Sequence, residues 1–526
     1  MAIPASTAPF LWIVIVGGIA MVVMGFMIGG NDMANTFGTS VGSKTISLMQ
    51  ASILAGIFVV IGSVALGATV TNAIRKNILV LSAFESDPAV LMYGMLAALI
   101  GAAFWLAVAT QYELPVSTTH SIIGGIIGFG LVTGRSSIAW RGVIIIVLSW
   151  VASPVLAGIL SGTVFIIIRY FVLRSPNAVS RGYKLIGILL FAVSETFTLF
   201  FLLQSPLLLN FECTQRGSSG VRIASPCIIK NWAKAQFGWA FLLATGASIV
   251  LTGIFSLFVF PYANRVMKKY GSGKEVVGSE QEDSPKTKAL TLETRSVTNS
   301  TPSTSALRAY LKELPLFQDL HEQSFEGNET VSAMHTAAET FDLRTERFFS
   351  VLQILSACFD AVALGASDIA NAVAPFATIL AVYNAGATVN QVSVAWYILL
   401  AGGVAIAFGV AFLGYHVIKT LGIKLVTVTP SRGFTIEIAT AWVILIFSNF
   451  GIPLSSTHCQ VGSTVGVGLV EKREKEAMSF SYIFGKGVNY RLLGEIIVGW
   501  ILTLVIAGGI SAAIFSVGVY APSFSV

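Results

Sequence analysis

Charge is what this chain has least of. Only 11% of its 526 residues are Asp, Glu, Lys or Arg, against about 25% in an ordinary soluble domain. None of these four types occurs in residues 1–31, 45–74 or 369–418, and about 20 such residues suffice to span a bilayer as a helix. With 55% hydrophobic residues and a mean hydropathy of +0.79, these gaps exclude a soluble protein. They also remove nucleic acid as the explanation of the net charge of +6, because in a membrane protein the placement of charge matters more than its sum.

Lys and Arg are absent before Lys44 and after Arg491. They gather instead at Arg169, Arg174, Arg181 and Lys184, and again at Arg265, Lys268 and Lys269. The positive-inside rule makes these clusters cytoplasmic and puts both termini outside, although Arg75 and Lys76 run against the scheme. The apolar stretch 11–28 has no basic flank and leads straight into Asn31-Asp32, so it reads as a helix of the mature protein and not a signal peptide. Cysteine is scarce, at four residues with no zinc-type spacing. Cys213 and Cys227 share a polar loop placed outside, as a disulfide or as two thiols. Cys358 and Cys459 lie in apolar segments and read as small packing residues.

Hydropathy predicts helices near 8–30, 49–72, 90–111, 142–172, 184–204, 238–263, 348–366, 392–418, 434–450 and 491–517. Shorter pieces at 33–43, 121–134, 370–383 and 461–470 read as half-helices or re-entrant hairpins, which are tolerated where protein or a wet cavity satisfies the backbone. The expected class is an all-α membrane protein with about 10–12 transmembrane helices and two re-entrant hairpins. Residues 264–347, rich in Ser, Thr, Glu and Lys, separate two membrane domains at 1–263 and 348–526. This segment is expected to be a largely disordered cytoplasmic linker, with a short helix at 305–316. Its Asn299 and Asn328 match the glycosylation pattern and would go unused in the cytosol.

Two polar phrases are each written twice, about 340 residues apart. Gly29-Gly-Asn-Asp-Met-Ala-Asn35 returns as Gly365-Ala-Ser-Asp-Ile-Ala-Asn371, and Leu114-Pro-Val-Ser-Thr-Thr-His120 returns as Ile452-Pro-Leu-Ser-Ser-Thr-His458. Leu54-Ala-Gly56 is matched by Leu400-Ala-Gly402, Gly62 and Gly67 by Gly409 and Gly414, and Trp150 with Gly158 by Trp500 with Gly508. A constant order of matches is the mark of duplication. Polar groups at membrane depth point to a binding site, and a duplicated set places it between the copies.

The hydroxyl phrases suit an anion. Ser and Thr cap helix starts, where free N–H groups and the helix dipole favour negative charge. Ser117, Thr118 and Thr119, with Ser455, Ser456 and Thr457, are the candidate anion ligands. The Asn-Asp phrases supply oxygens for hard cations: Asn31, Asp32, Asn35, Ser367, Asp368 and Asn371. A cation held between carboxylate and anion attracts both, which is the electrostatic logic of symport. Glu437 stands alone in an apolar span, and His120 and His458 end the hydroxyl phrases; these three are candidates for coupling or gating. A Ser/His hydrolase dyad at Ser117/His120 or Ser455/His458 is the rival from another class. It is disfavoured because an enzyme needs one asymmetric site.

These phrases resemble the inorganic phosphate transporter (PiT) family of sodium- or proton-coupled phosphate symporters. The likeness extends to Thr36–Ser43, to Ser350-Val-Leu-Gln353 and to Ser431-Arg-Gly-Phe-Thr-Ile-Glu437, and covers nearly everything except the linker. The resemblance implies two inverted-topology repeats, a central phosphate site and coupling cations on the Asn-Asp phrases. The expected function is import of inorganic phosphate driven by sodium. Proton coupling, or another tetrahedral oxyanion such as sulfate, is the alternative. No catalysis and no cofactor are expected, sodium being a transported substrate. The expected partners are phosphate, the cation and the lipid bilayer, with homodimer assembly left open and the plasma membrane as location. The sequence departs from the family at three places. Ser367 replaces an Asn, and Val59 and Met95 stand where relatives carry Glu. Glu113 adds a charge beside the presumed anion site, for which the sequence offers no account.

Overall fold

The computed structural model describes residues 7–520 apart from 33, 206–207, 217–221, 272–319, 326–327, 390–391, 393, 450–451, 453 and 472–486. Ten helical stretches among the described residues are long and apolar enough to cross a membrane. In the first half, α1 (Leu11–Asn31) and α2 (Ala34–Gly42) share one stretch. They are followed by α3 (Leu48–Ile78), α4 (Pro88–Gln111), the shorter α5 (Thr118–Thr133), α6 (Trp140–Ile168), α7 (Ala178–Gln204) and α8 (Phe237–Gly271). In the second half come the short α9 (Glu329–Thr336), then α10 (Leu343–Ala385), α11 (Trp396–Leu413), α12 (Pro430–Asn449), α13 (Ser456–Leu469) and α14 (Tyr490–Tyr520). One antiparallel ribbon, β1 (Leu208–Arg216) with β2 (Arg222–Ile228), interrupts an otherwise helical chain. The side chains of Cys213 and Cys227 in this ribbon lie outside the described ones. So do residues 272–319, with the expected helix at 305–316 and Asn299.

Both ends of the expected linker are built into the fold. Residues 264–271 continue α8, and α9 docks against the membrane helices, with His335 Nε2 2.9 Å from the Ile423 carbonyl. Asn328 caps α9, its Oδ1 accepting from Val331 N at 3.2 Å. His335 is mostly buried there. That burial lowers its pKa, as do the charges of Arg432 and Lys44, against the partly restoring hydrogen bond to Ile423.

The packing comes in matched sets. α1 crosses α11 at Gly29 and Gly409, where a methyl on Gly409 would lie 1.9 Å from the Phe26 carbonyl oxygen. α3 crosses α10 at Gly62 and Gly365, where a methyl on Gly62 would lie 2.1 Å from Val362 O. The pair α5/α14 meets at Gly128 and Gly508, and the pair α6/α13 at Gly158 and Gly466. Small residues let backbones approach this closely, and in a membrane that close packing takes the place of hydrophobic pressure. Even the isolated backbone bridges are doubled, Leu79 with Ile138 and Val426 with Val488.

The expectation that an Asn-Asp phrase opens a half-helix is corrected for the second copy, while the first copy runs through residue 33, outside the described residues. α1 stops at Asn31, and α2 resumes at Ala34. The second phrase lies inside α10, which runs unbroken for 43 residues, so no half-helix begins at 370. The departure at Ser367 supplies a reason. Asn31 spends its amide on the α4–α5 turn, donating to Leu114 O at 2.9 Å and accepting from Val116 N at 2.9 Å. Ser367 is too short for that and hydrogen-bonds back to Leu364 O of its own helix at 3.2 Å.

Candidate functional site

Two helix starts converge at the centre of the molecule. α5 begins after Ser117, whose hydroxyl accepts from His120 N at 3.2 Å, and α13 begins after Ser455, whose hydroxyl accepts from His458 N at 3.2 Å. The two turns reach across to each other. Thr119 Oγ1 donates to Leu454 O at 3.3 Å, and Thr457 Oγ1 donates to Val116 O at 3.4 Å. The hydroxyl residues of both phrases, Ser117, Thr118, Thr119, Ser455, Ser456 and Thr457, are thereby brought together and buried.

Asp32 sits where these helix starts meet, 1% exposed. Its Oδ2 accepts from Thr118 Oγ1 at 2.5 Å, and its Oδ1 accepts from Asn35 Nδ2 and Ser456 Oγ, each at 3.1 Å, and from Thr457 Oγ1. A carboxylate is favoured at helix N-termini and is strongly held by hydroxyl donors. Ser456 Oγ also lies 3.2 Å from Asp368 Oδ2, so one hydroxyl touches both acidic residues. Asp368 receives less, with only Ser367 Oγ at 3.2 Å on its other oxygen.

The asparagines divide into two kinds. Asn31 is a structural clamp, bonded to Thr110 Oγ1 at 3.1 Å as well as to the α4–α5 turn. Asn35 donates to Thr457 Oγ1 at 3.1 Å, and Asn371 donates to Thr118 Oγ1 at 3.0 Å and Thr119 Oγ1 at 3.3 Å. Each thus reaches the hydroxyl turn of the opposite half. Their carbonyl oxygens, Asn35 Oδ1 and Asn371 Oδ1, are buried without a partner. Orphaned oxygens beside two carboxylates are what a hard cation would use.

Glu437 is fully buried, and hydroxyls of Thr39, Ser40 and Ser356 surround its carboxylate. These partners come from α2 and α10, and none of them belongs to the hydroxyl turns. Met95 and Val59, the two positions at which the resemblance implied acids, are packed in the apolar core. His120 and His458 meet edge to face with ring centroids 4.4 Å apart and an interplanar angle of 85°, and they pack against Trp150 and Trp500 at 3.6 and 3.7 Å respectively. His458 Nδ1 lies 3.0 Å from the Trp150 carbonyl. Each phrase's serine takes the backbone N–H of its own histidine, so the hydroxyls serve as helix caps.

Sequence reasoning left some residues unnoticed. Thr39 and Ser40 lay in the phrase Thr36–Ser43 without being assigned a role, and Thr110 and Ser356 carried no motif. Asp360 did carry one: it is an ionisable residue inside an apolar span, the same ground on which Glu437 stood out. Glu113 also finds its explanation. It adopts φ +56°, and its carboxylate bridges Lys419 Nζ at 2.5 Å and Lys424 Nζ at 2.6 Å, while Thr420 Oγ1 donates to its carbonyl at 2.9 Å. It fastens the α4–α5 turn to the segment after α11.

Comparison with known proteins identifies the family. The profile of the phosphate transporter family matches residues 28–511. The chain is 33% identical to a sodium-dependent phosphate transporter of Plasmodium falciparum over 98% of both chains. It is 29% identical to sodium-dependent phosphate transporter 2 of Felis catus, over 97% of this chain and 98% of that one. A solved structure described as the sodium-dependent phosphate transporter superposes with a TM-score of 0.69 at 30% identity, covering 96% of this chain and 98% of the other. The chain belongs to the phosphate transporter family.

Proposed function

We infer that this protein is a secondary-active symporter that carries inorganic phosphate into the cytosol together with sodium ions. The supporting observation is that the hydroxyls suited to an oxyanion, Thr118, Ser456 and Thr457, are donated to Asp32 and Asp368. Carboxylate and phosphate therefore compete for the same donors. A sodium ion on Asp32 or Asp368, completed by Asn35 Oδ1 or Asn371 Oδ1, takes over the neutralising role. The hydroxyls then turn to phosphate, which the helix starts and the bound cation attract together. Neither ligand binds well alone, and that is coupling.

The doubled crossings and doubled turns support two repeats of inverted topology, with α4–α5 and α12–α13 as re-entrant hairpins dipping in from opposite sides. The basic residues at the ends of α6 and α8 favour a cytosolic face there, with the termini outside and the plasma membrane as the location. Serine hydroxyls used as helix caps and imidazoles packed edge to face between tryptophans do not favour the hydrolase dyad.

The test is phosphate uptake into proteoliposomes under imposed gradients. A sodium gradient should drive accumulation, excess sulfate should leave it unchanged, and a proton gradient alone should not replace sodium. Equal uptake under sodium, protons and neither would remove the symport reading, and full competition by sulfate would widen the substrate to oxyanions. Inward movement of one net positive charge gains about 2.3 kcal/mol per 100 mV. A negative interior should therefore accelerate uptake if two sodium ions accompany a monovalent phosphate.

A further inference from the structure

A polar cavity of about 290 Å³ lies apart from the central site, where α9 docks. It is lined by Lys44 from the α2–α3 turn, by His335 and Glu339 in and after α9, by Glu346 and Arg347 near the start of α10, and by Thr427 and Arg432 around the start of α12. None of the hydroxyl or Asn-Asp residues of the central site lines it. A water molecule takes about 30 Å³ in the liquid, so the cavity has room for a small ion with part of its hydration.

The charges in this cavity do not cancel. Both oxygens of Glu339 are taken by Arg174, which donates from Nε at 2.6 Å and from Nη2 at 2.8 Å. Both oxygens of Glu346 are taken by Ser431, which donates its N–H at 2.9 Å and its hydroxyl at 2.8 Å. Neither carboxylate is left to hold a cation. Lys44 and Arg347, by contrast, have no carboxylate in ion-pairing range among the described residues. Arg432 pairs with Glu471 through Nη2 at 2.5 Å, yet its Nε is buried without a partner, and so is the Thr427 hydroxyl. After burial itself, the charges of Arg432 and Lys44 both lower the pKa of His335, so the potential there is positive.

Fixed cations without counter-ions, beside buried donors without acceptors, are what an oxyanion requires. Arginine Nε can only donate, which excludes a cation as its missing partner. Lysine and arginine make strong charge-assisted hydrogen bonds to phosphate oxygens. We propose that this cavity is a second binding site for inorganic phosphate, held by Lys44, Arg347, Arg432 and the Thr427 hydroxyl without sodium. The two sites differ in what supplies the positive charge. At the centre the hydroxyls are spent on Asp32 and Asp368, and the anion must wait for a cation. In the cavity the charge is carried by side chains and is always present. Arg174, which holds Glu339, belongs to the basic cluster after α6. The cavity therefore lies on the face read as cytosolic, where delivered phosphate accumulates.

This inference rests on the sodium-coupled reading of the central site, and the experiment keeps the two apart. Full-length protein in detergent is dialysed to equilibrium against ³³P-phosphate, in sodium chloride and in choline chloride, at low ionic strength where fixed charges are least screened. The native protein should bind two phosphates with sodium and one without it. A count of one that ignores sodium would leave this site standing and remove the coupled reading. A count of one that requires sodium would overturn the site and leave the coupled reading intact. Lys44→Gln together with Arg347→Gln should weaken the sodium-independent binding by about tenfold for each charge removed, with the sodium-dependent binding unchanged. Each single substitution reads its own tenfold effect if the double variant does not fold. Lys44→Arg, which keeps the charge, should bind like the native protein. Unchanged sodium-independent binding in the double variant would overturn the site. So would loss of both bindings together, which marks a purely structural role. Displacement by dioctanoyl phosphatidic acid, at concentrations far below those of phosphate itself, would assign the cavity to a lipid headgroup and overturn the free ion as its occupant.

Discussion

Asp32 and Thr457 are 425 residues apart in the chain and share a hydrogen bond at its centre. The acid comes from the first span and the hydroxyl from the second half's turn, so neither half can complete the site without the other. Thr118 approaches the same carboxylate from the first half at 2.5 Å, and this convergence ties Asp32 to the starts of both α5 and α13.

Removing either acid should uncouple transport. Asp32→Asn and Asp368→Asn are expected to abolish sodium-driven phosphate accumulation in proteoliposomes. Thr118→Val and Thr457→Val each remove one hydrogen bond to a charged group, worth about 1.5–3 kcal/mol, and should slow uptake about tenfold or more. Near-native uptake in both Asn variants would take the two acids out of the mechanism.

Ser367 gives a test in the opposite direction. Ser367→Asn restores the amide of the family phrase beside Asp368, adding an oxygen ligand on that side. The half-saturating sodium concentration for uptake should fall. An unchanged sodium curve would show that this position does not face the cation.

The glycine crossings should tolerate nothing larger. A methyl on Gly466 would lie 2.1 Å from Gly158 O, and one on Gly128 would lie 2.1 Å from Gly508 O. Gly466→Ala and Gly128→Ala should each destabilise the protein by about 1–3 kcal/mol, read as a lowered Tm in detergent. Equal losses at the two positions would follow from their matched packing.

Glu113 should anchor the first hairpin. Glu113→Gln breaks the ion pairs to Lys419 and Lys424, and amide hydrogen exchange across 112–117 should quicken relative to the native protein. Exchange as slow as before would mean that the Asn31 contacts alone hold the turn.

The docking of α9 should depend on pH through His335. Burial holds its pKa below the ordinary value of 6.5, so the docked state favours the neutral ring. The stabilisation is fully present above pH 6.5 and is lost as pH falls through the lower value of the docked ring. Hydrogen-exchange protection of 329–336 should therefore drop on acidification. In His335→Gln the drop should disappear.

Much of this was legible from the residues alone. The spans follow from the absence of charge, and the pairing of the four phrases follows from their duplication, since Ser117 with Ser455 and Trp150 with Trp500 do occupy corresponding places. The continuity of α10 was not legible. Whether a polar phrase breaks a helix depends on where its side chains find partners, and the partners of Asn31 are residues 79–85 positions away. The hydroxyl setting of Glu437 was hidden for the same reason, because Thr39 and Ser356 come from two other helices. Asp360 was visible by the rule applied to Glu437, yet its isolation from any hydrogen bond exists only in three dimensions.

The unbroken α10 has a mechanical consequence. A 43-residue helix that bears Asp368 and begins at the cavity with Leu343 can serve as a mast. Opposite it, Asp32 follows the end of α1 and gathers hydroxyls from both halves of the chain. A ligand that rearranges the hydroxyls on Asp32 is thereby felt at once by the long helix and by the starts of α5 and α13.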